Sequence, residues 1–315
     1  MVEQPSVSPD IPIAALVAAF GPNLQFARDL APLTSFKTGG RARYFVSANT
    51  AGEIARAVVG AGRLGIPFFL LGGGSNVLVS DEGFGGLVIK VDVRGMKLLP
   101  GHAIESGAGE DLMTLVDFAT ANSLTGLEFA AGIWGSVGGA ICGNAGAFGG
   151  EIGSVVAEIT LVDRQGEIKT VTPEYCRFGY RDSLLKSTGE VVVTVRLRLE
   201  PGEPSAIRSR VDEILNQREI RHPVTGKSAG CFFKNIPDPS QPNGKLAAGK
   251  LLEEAGAKDL SVGDARVFDL HANIIVNDGE ATSKDIRALA DKMKESVSRK
   301  FGIELQDEVI QVGEF

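Results

Sequence analysis

The chain has little of what marks several common protein classes. Only three cysteines occur in 315 residues, Cys142, Cys176 and Cys231. Odd in number, widely spaced and without a C-x-x-C pair, they argue against both a disulfide framework and a zinc site. A reducing cytoplasm is the compartment they fit best. Basic residues are in deficit, 32 Lys and Arg against 39 Asp and Glu. A net charge of −7 leaves no global basic field for nucleic acid or an anionic membrane, so any anionic ligand must be held locally. No apolar run approaches the ~20 residues that span a bilayer. The first residues, Met1 to Pro12, have no basic region, and the apolar stretch 13–20 is cut short by Gly21 and Pro22, which does not read as a signal peptide. The common nucleotide fingerprints are missing too. G-x-G-x-x-G fails at Val77 after Gly72 and Gly74, and again at Leu112 after Gly107 and Gly109, so a Rossmann crossover is not supported. Gly226-Lys227-Ser228 ends like a P-loop, but Arg221 stands where the first glycine is required.

Glycine, by contrast, is abundant: 40 of 315 residues, against the usual ~7%, with no collagen-like period. Much of it falls in two runs, Gly72-Gly73-Gly74-Ser75-Asn76 and the stretch from Gly132 through Gly135, Ser136, Gly138, Gly139, Asn144, Ala145 and Gly146 to Gly150. Each is flanked by strand-like apolar segments. Glycine lets another molecule approach the backbone closely and exposes N–H donors that can converge on an anion. A single such run reads as a tight turn. Two, each with a serine and an asparagine, point to a nucleotide cofactor.

Periodicity predicts strands over 44–47, 67–71, 76–79 and 87–91, and a helix over 53–64 with Ile54, Ala57, Val58 and Ala61 on one face. A second unit has a strand near 104–106, a helix over 111–122 and strands over 155–162, 168–171 and 191–199. Pro201-Gly202-Glu203-Pro204 reads as a linker into a helix through Ile220. Helices near 246–255 and 283–300 follow, with strands at 273–276 and 308–312. Thr282 and Asp285 form a capping-box start to the last helix and Gly302 its stop. These readings divide the chain into an extension over 1–21, α/β units over 22–92 and 93–200, and an α+β unit over 201–315, an α+β fold in all.

Seven ordered segments then carry a resemblance: Leu71 to Leu78, Gly132 to Gly149, Phe178 to Ser183, Ser228 to Asn235, Ala248 to Glu253, His271 to Asn277, and Gly302 to Val309. The chain resembles the UDP-N-acetylenolpyruvoylglucosamine reductase family of flavoenzymes, nearly continuously from Ser35 to Gly313. The resemblance implies a vanillyl-alcohol-oxidase type fold, two α/β subdomains gripping FAD and a third domain closing over the UDP-sugar. It implies FAD along Leu71–Asn76 and along the second glycine run. The loop offers Ser75 and Asn76 where covalent relatives commonly have histidine, so non-covalent FAD is expected. It implies NADPH as hydride donor, reducing the flavin before UDP-N-acetylglucosamine enolpyruvate enters the same side and leaves as UDP-N-acetylmuramate, a peptidoglycan precursor. Arg181 is implied for the substrate carboxylate or its enolate, Glu308 as a second electrophilic or proton-relay group, and Cys231, where the family usually has serine, as proton donor. Tyr180, Lys234 and Asn235 are implied for the sugar nucleotide. No metal is called for, and a monomer in the bacterial cytoplasm fits. Two departures stand out: Trp134 where proline is usual, and Phe268 where small polar residues are. Two other readings stay open, a flavin oxidase acting on an alcohol or sugar and a non-catalytic nucleotide-binding protein.

Overall fold

The structure is a computed structural model that describes residues 11–223, 227–241 and 244–315; most of the N-terminal extension and Gly226 lie outside them. The first unit is a four-stranded sheet in the order Gln25–Asp29, Arg41–Ala48, Phe84–Val91, Phe68–Leu71. Its last three strands run parallel, which requires crossovers. One crossover is the helix Ala51–Leu64. Thr50 starts it by accepting the Glu53 N–H, Gly65 ends it at φ 63°, and the stripe Ile54, Ala57, Val58, Ala61 is buried. A short helix, Ile13–Phe20, packs against this crossover helix and buries Leu16 and Phe20 in the same core.

The second unit is a five-stranded antiparallel sheet in the order Ile168–Val171, Val156–Val162, Val191–Arg198, Ala103–Gly107, Met96–Leu99. Helix Leu112–Ala121 starts at Asp111, whose carboxylate accepts the N–H groups of Met113 and Thr114. The second glycine run is not all loop. Ser136 caps a helix, Val137–Gly143, by accepting the Gly139 N–H, and Val137 and Ile141 anchor it in the core.

Helix Pro204–Arg221 begins at the last residue of the predicted linker and packs against this second unit, with Val211 and Ile214 in its core. The third unit's own sheet runs Lys227–Cys231, His271–Asn277, Ala265–Phe268, Ser261–Val262. Helices Ala248–Glu254 and Ser283–Phe301 cover it; the latter has the predicted capping box and ends at Gly302, φ 68°. Several ties bind the third unit to the first. The final strand Ile310–Val312 pairs in parallel with Val77–Val79. Phe36 and Leu78 share the core of the third unit. The Asp81 carboxylate accepts the N–H groups of Ser283 and Lys284 at 2.8 and 3.0 Å, a cap supplied from across the junction.

Candidate functional site

The two glycine runs meet. A Cβ on Gly73 would stand 2.6 Å from the Gly135 Cα and one on Gly74, at φ 69°, 1.9 Å from the Leu33 carbonyl oxygen. Neither neighbour is a flexible side chain, so only glycine lets these backbones touch. The contact is pinned by the Gly73 N–H donating to Ser136 Oγ at 3.3 Å and Ser75 Oγ donating to the Trp134 carbonyl at 2.8 Å. Beneath the first run, Lys90 donates to the Gly72 carbonyl at 2.5 Å. Burial holds the Lys90 pKa below its ordinary value.

Between the runs opens a cleft of about 630 Å³. Leu71, Gly72, Gly73, Gly74, Ser75 and Asn76 line one wall, and Gly132, Gly135, Ser136, Gly138, Gly139, Ala145 and Gly146 the other. Apolar side chains such as Val91, Leu112 and Ile133 complete it. A concave, largely apolar cavity with backbone amides and a few charged groups, in the usual 300–1,000 Å³ range, suits a nucleotide cofactor. Ser75 and Asn76 are both engaged in hydrogen bonds to carbonyls, of Trp134 and Glu308 respectively.

At one end stand Arg181, Cys231 and Glu308. The strand Lys227–Cys231 runs on into Phe232 and Phe233, which lie antiparallel to 307–308: Glu308 N–H donates to the Phe232 carbonyl at 2.8 Å, and Phe233 bridges Asp307. Asn273 clasps this segment from the other side, its amide oxygen accepting the Phe233 N–H and its Nδ2 donating to the Phe233 carbonyl. Asn76 Nδ2 donates to the Glu308 carbonyl at 3.1 Å, tying the first glycine run to the same segment. Arg181 comes from the far side, on a loop where it takes φ 53°, uncommon for a residue with a side chain. Its guanidinium donates to the Gly146 carbonyl at 2.7 Å and pairs through Nε with Glu308 Oε1 at 3.0 Å.

Burial shapes the titration of this end. It raises Glu308, opposed by the positive charges of Arg181, Lys186 and Lys234. It pushes the Cys231 thiol up to about 11, with the Glu308 charge adding to the effect and Arg181 and Arg218 opposing it. Cys231 therefore carries its proton at neutral pH.

The other sequence-predicted residues lie beside the cleft. Asn144 is 1% exposed and does not line it. Its amide accepts the Gly153 N–H and donates to the Gly179 carbonyl, which fixes the loop bearing Arg181. The Tyr180 ring has two cations close to it, Arg181 at 5.7 Å and Lys245 Nζ at 3.3 Å from its centroid. Asn235 accepts the first N–H of helix Ala248–Glu254 at 3.1 Å, and the Lys234 N–H donates to the Gln306 carbonyl. Trp134 lines the cleft and is 47% exposed. Among the cleft residues that the sequence reading did not assign are Lys186, Glu190, Arg218, Glu219 and His222. Lys186 donates to the Arg181 carbonyl, and burial lowers its pKa.

Residues 42–172, which include both glycine runs of this cleft, match the FAD binding domain family, which sets the class as that of FAD-binding proteins. Residues 222–312 match the C-terminal domain of UDP-N-acetylenolpyruvoylglucosamine reductase. The reductase of Clostridium novyi is 39% identical over 281 residues, 89% of either chain, and that of Streptococcus pneumoniae 37% identical over 294 residues, 93% of this chain and 95% of that one. The crystal structure of the Thermus caldophilus reductase superposes with a TM-score of 0.77 at 34% identity, covering 92% of this chain and 98% of that one. The chain belongs to the UDP-N-acetylenolpyruvoylglucosamine reductase family. No helix among the described residues is long and apolar enough to cross a membrane.

Proposed function

We propose that this chain reduces the enolpyruvyl double bond of UDP-N-acetylglucosamine enolpyruvate to give UDP-N-acetylmuramate, with NADPH as hydride donor and non-covalent FAD, in the bacterial cytoplasm. The observation that carries the reading is the convergence of Arg181, Cys231 and Glu308 at one end of a cleft walled by both glycine runs. Bound FAD would supply the hydride, delivered from its N5. Leu71–Asn76 and the residues Gly132, Gly135, Ser136, Gly138, Gly139, Ala145 and Gly146 would hold it.

The protein's own groups do the rest. Hydride addition to one alkene carbon leaves electron density on the other and on the carboxylate, as an enolate. Arg181, a planar cation already oriented by the Gly146 carbonyl, stabilises that charge, and Glu308, pushed toward its neutral form by burial, can share a proton with it. Cys231 gives its Sγ proton to the second carbon and recovers one from solvent, so hydride and proton together account for the two-electron reduction. Tyr180, Lys234 and Asn235 flank this end and serve the sugar nucleotide.

The test is the anaerobic flavin band at about 450 nm of the purified holoenzyme. NADPH should bleach it and UDP-N-acetylglucosamine enolpyruvate should restore it. A flavin that bleaches but never recovers would refute the proposed substrate.

A further inference from the structure

Helix Pro204–Arg221 buries Ile207, Val211 and Ile214. The same stripe continues, at helical spacing, to Arg218. A cation on the core face of a helix is costly unless something negative meets it. Among the described residues Arg218 has no such partner: its buried Nε lacks a hydrogen-bond acceptor, and the groups that act on its charge are a second cation, Arg181, and Cys231. Instead it points into the cleft, over the Phe148 ring at 5.5 Å. Gly132 makes the passage. A Cβ there would stand 2.8 Å from Arg218 Cδ and 3.2 Å from Leu215 Cδ2. So one of the glycines expected to approach the cofactor clears the path of an arginine.

We propose that Arg218 is a ligand-binding residue of the cleft, whose guanidinium takes a two-oxygen anionic group, diphosphate or carboxylate, of a bound nucleotide. Its planar fork of donors fits such a group in two parallel hydrogen bonds, and partial burial strengthens them. The inference rests on the FAD and sugar-nucleotide reading of the cleft. Three sources share this chemistry: the FAD diphosphate, the diphosphate of the UDP-sugar and its enolpyruvyl carboxylate.

Binding to Arg218→Gln, Arg218→Lys and the parent enzyme distinguishes them without turnover. FAD affinity is read by titrating deflavinated protein. Affinities for UDP-N-acetylglucosamine, which has the diphosphate without the carboxylate, and for UDP-N-acetylglucosamine enolpyruvate are read from perturbation of the oxidised flavin spectrum. R218Q should weaken at least one of the three by about tenfold or more, and R218K should restore part of the loss through charge alone. A loss for FAD assigns the anion to the cofactor, a loss for both sugar nucleotides to their diphosphate, and a loss for the enolpyruvyl compound alone to its carboxylate. Should R218Q not fold, R218K decides by the same three affinities. All three within about twofold of the parent in a folded variant would overturn the proposal. A parent enzyme whose flavin ignores both sugar nucleotides would instead overturn the reading on which it rests.

Discussion

At the scale of single residues, the thiol at position 231 behaves differently from what its type alone suggests. A free cysteine near its ordinary pKa is a ready nucleophile, and on that basis Cys231, which lines the cleft, would be a reactive thiol. Burial reverses this by raising it from 9.0 to about 11, so its thiolate fraction near neutrality falls by about a hundredfold. The shift suits a proton donor, which must enter each turnover protonated, and it protects the site from oxidants that attack thiolates. Inactivation by iodoacetamide should therefore be slow at pH 7, keep accelerating up to about pH 11, and be slowed by the sugar nucleotide. Cys142 also lines the cleft and is raised to about 11 by burial, so the control is Cys231→Ser, which should resist the reagent. A rate that levels off near the ordinary pKa of a free thiol would show that burial does not govern this group.

At the scale of elements, the helix Ser283–Phe301 shows local and distant signals acting together. Thr282 and Asp285 cap each other within the sequence, while Asp81, some two hundred positions away, accepts the next two free N–H groups. Asp81→Ala should lower unfolding free energy by about 1–2 kcal/mol in denaturant titration, the usual cost of a lost cap. Equal stability would mean that water replaces the carboxylate without loss. The contrast between these two caps marks what could be read from sequence. Thr282 and Asp285, the stripe of Ile286, Leu289, Ala290, Met293 and Val297, and the alternating strand Val191–Arg198 are local patterns and were legible. Asp81 as a cap was not, because its partner is set by the tertiary fold. The strand Gln25–Asp29 was missed because all five of its residues are exposed and no alternation shows. The helix Val137–Gly143 was hidden by three glycines, each about 1 kcal/mol unfavourable in a helix, which the Ser136 cap and the burial of Val137 and Ile141 offset. In the site, Arg181, Cys231 and Glu308 were singled out through motifs, and the fold brings the three together in the cleft. Arg218 could have been found from periodicity, as a charge on an otherwise apolar stripe.

At the scale of the whole molecule, the third unit is fastened to the FAD-binding part at several points, and one of them is sensitive to acid. His222 ends the helix that packs on the second unit, and its ring lies 5.8 Å from that of His271, on the third unit's sheet. Burial lowers both, His222 to about 4, with Arg218 and His271 adding to the effect on His222. A histidine whose folded pKa is depressed binds fewer protons folded than unfolded. Its stability contribution is therefore intact above the ordinary value of 6.5 and is lost as pH falls from there toward 4. Allowing for solvent screening of a group that is not fully enclosed, the loss from His222 is on the order of 1–2 kcal/mol. Denaturant titrations at pH 7 and pH 5 should thus show a larger drop for the parent than for His222→Asn, which keeps a polar side chain of similar reach but cannot charge. The two rings lie side by side where helix Pro204–Arg221 ends, so charge forming on both at low pH repels between that helix end and the third unit's sheet rather than merely burdening one side chain. If the variant and the parent lost stability in parallel between these two pH values, the acid sensitivity would have to lie elsewhere in the fold.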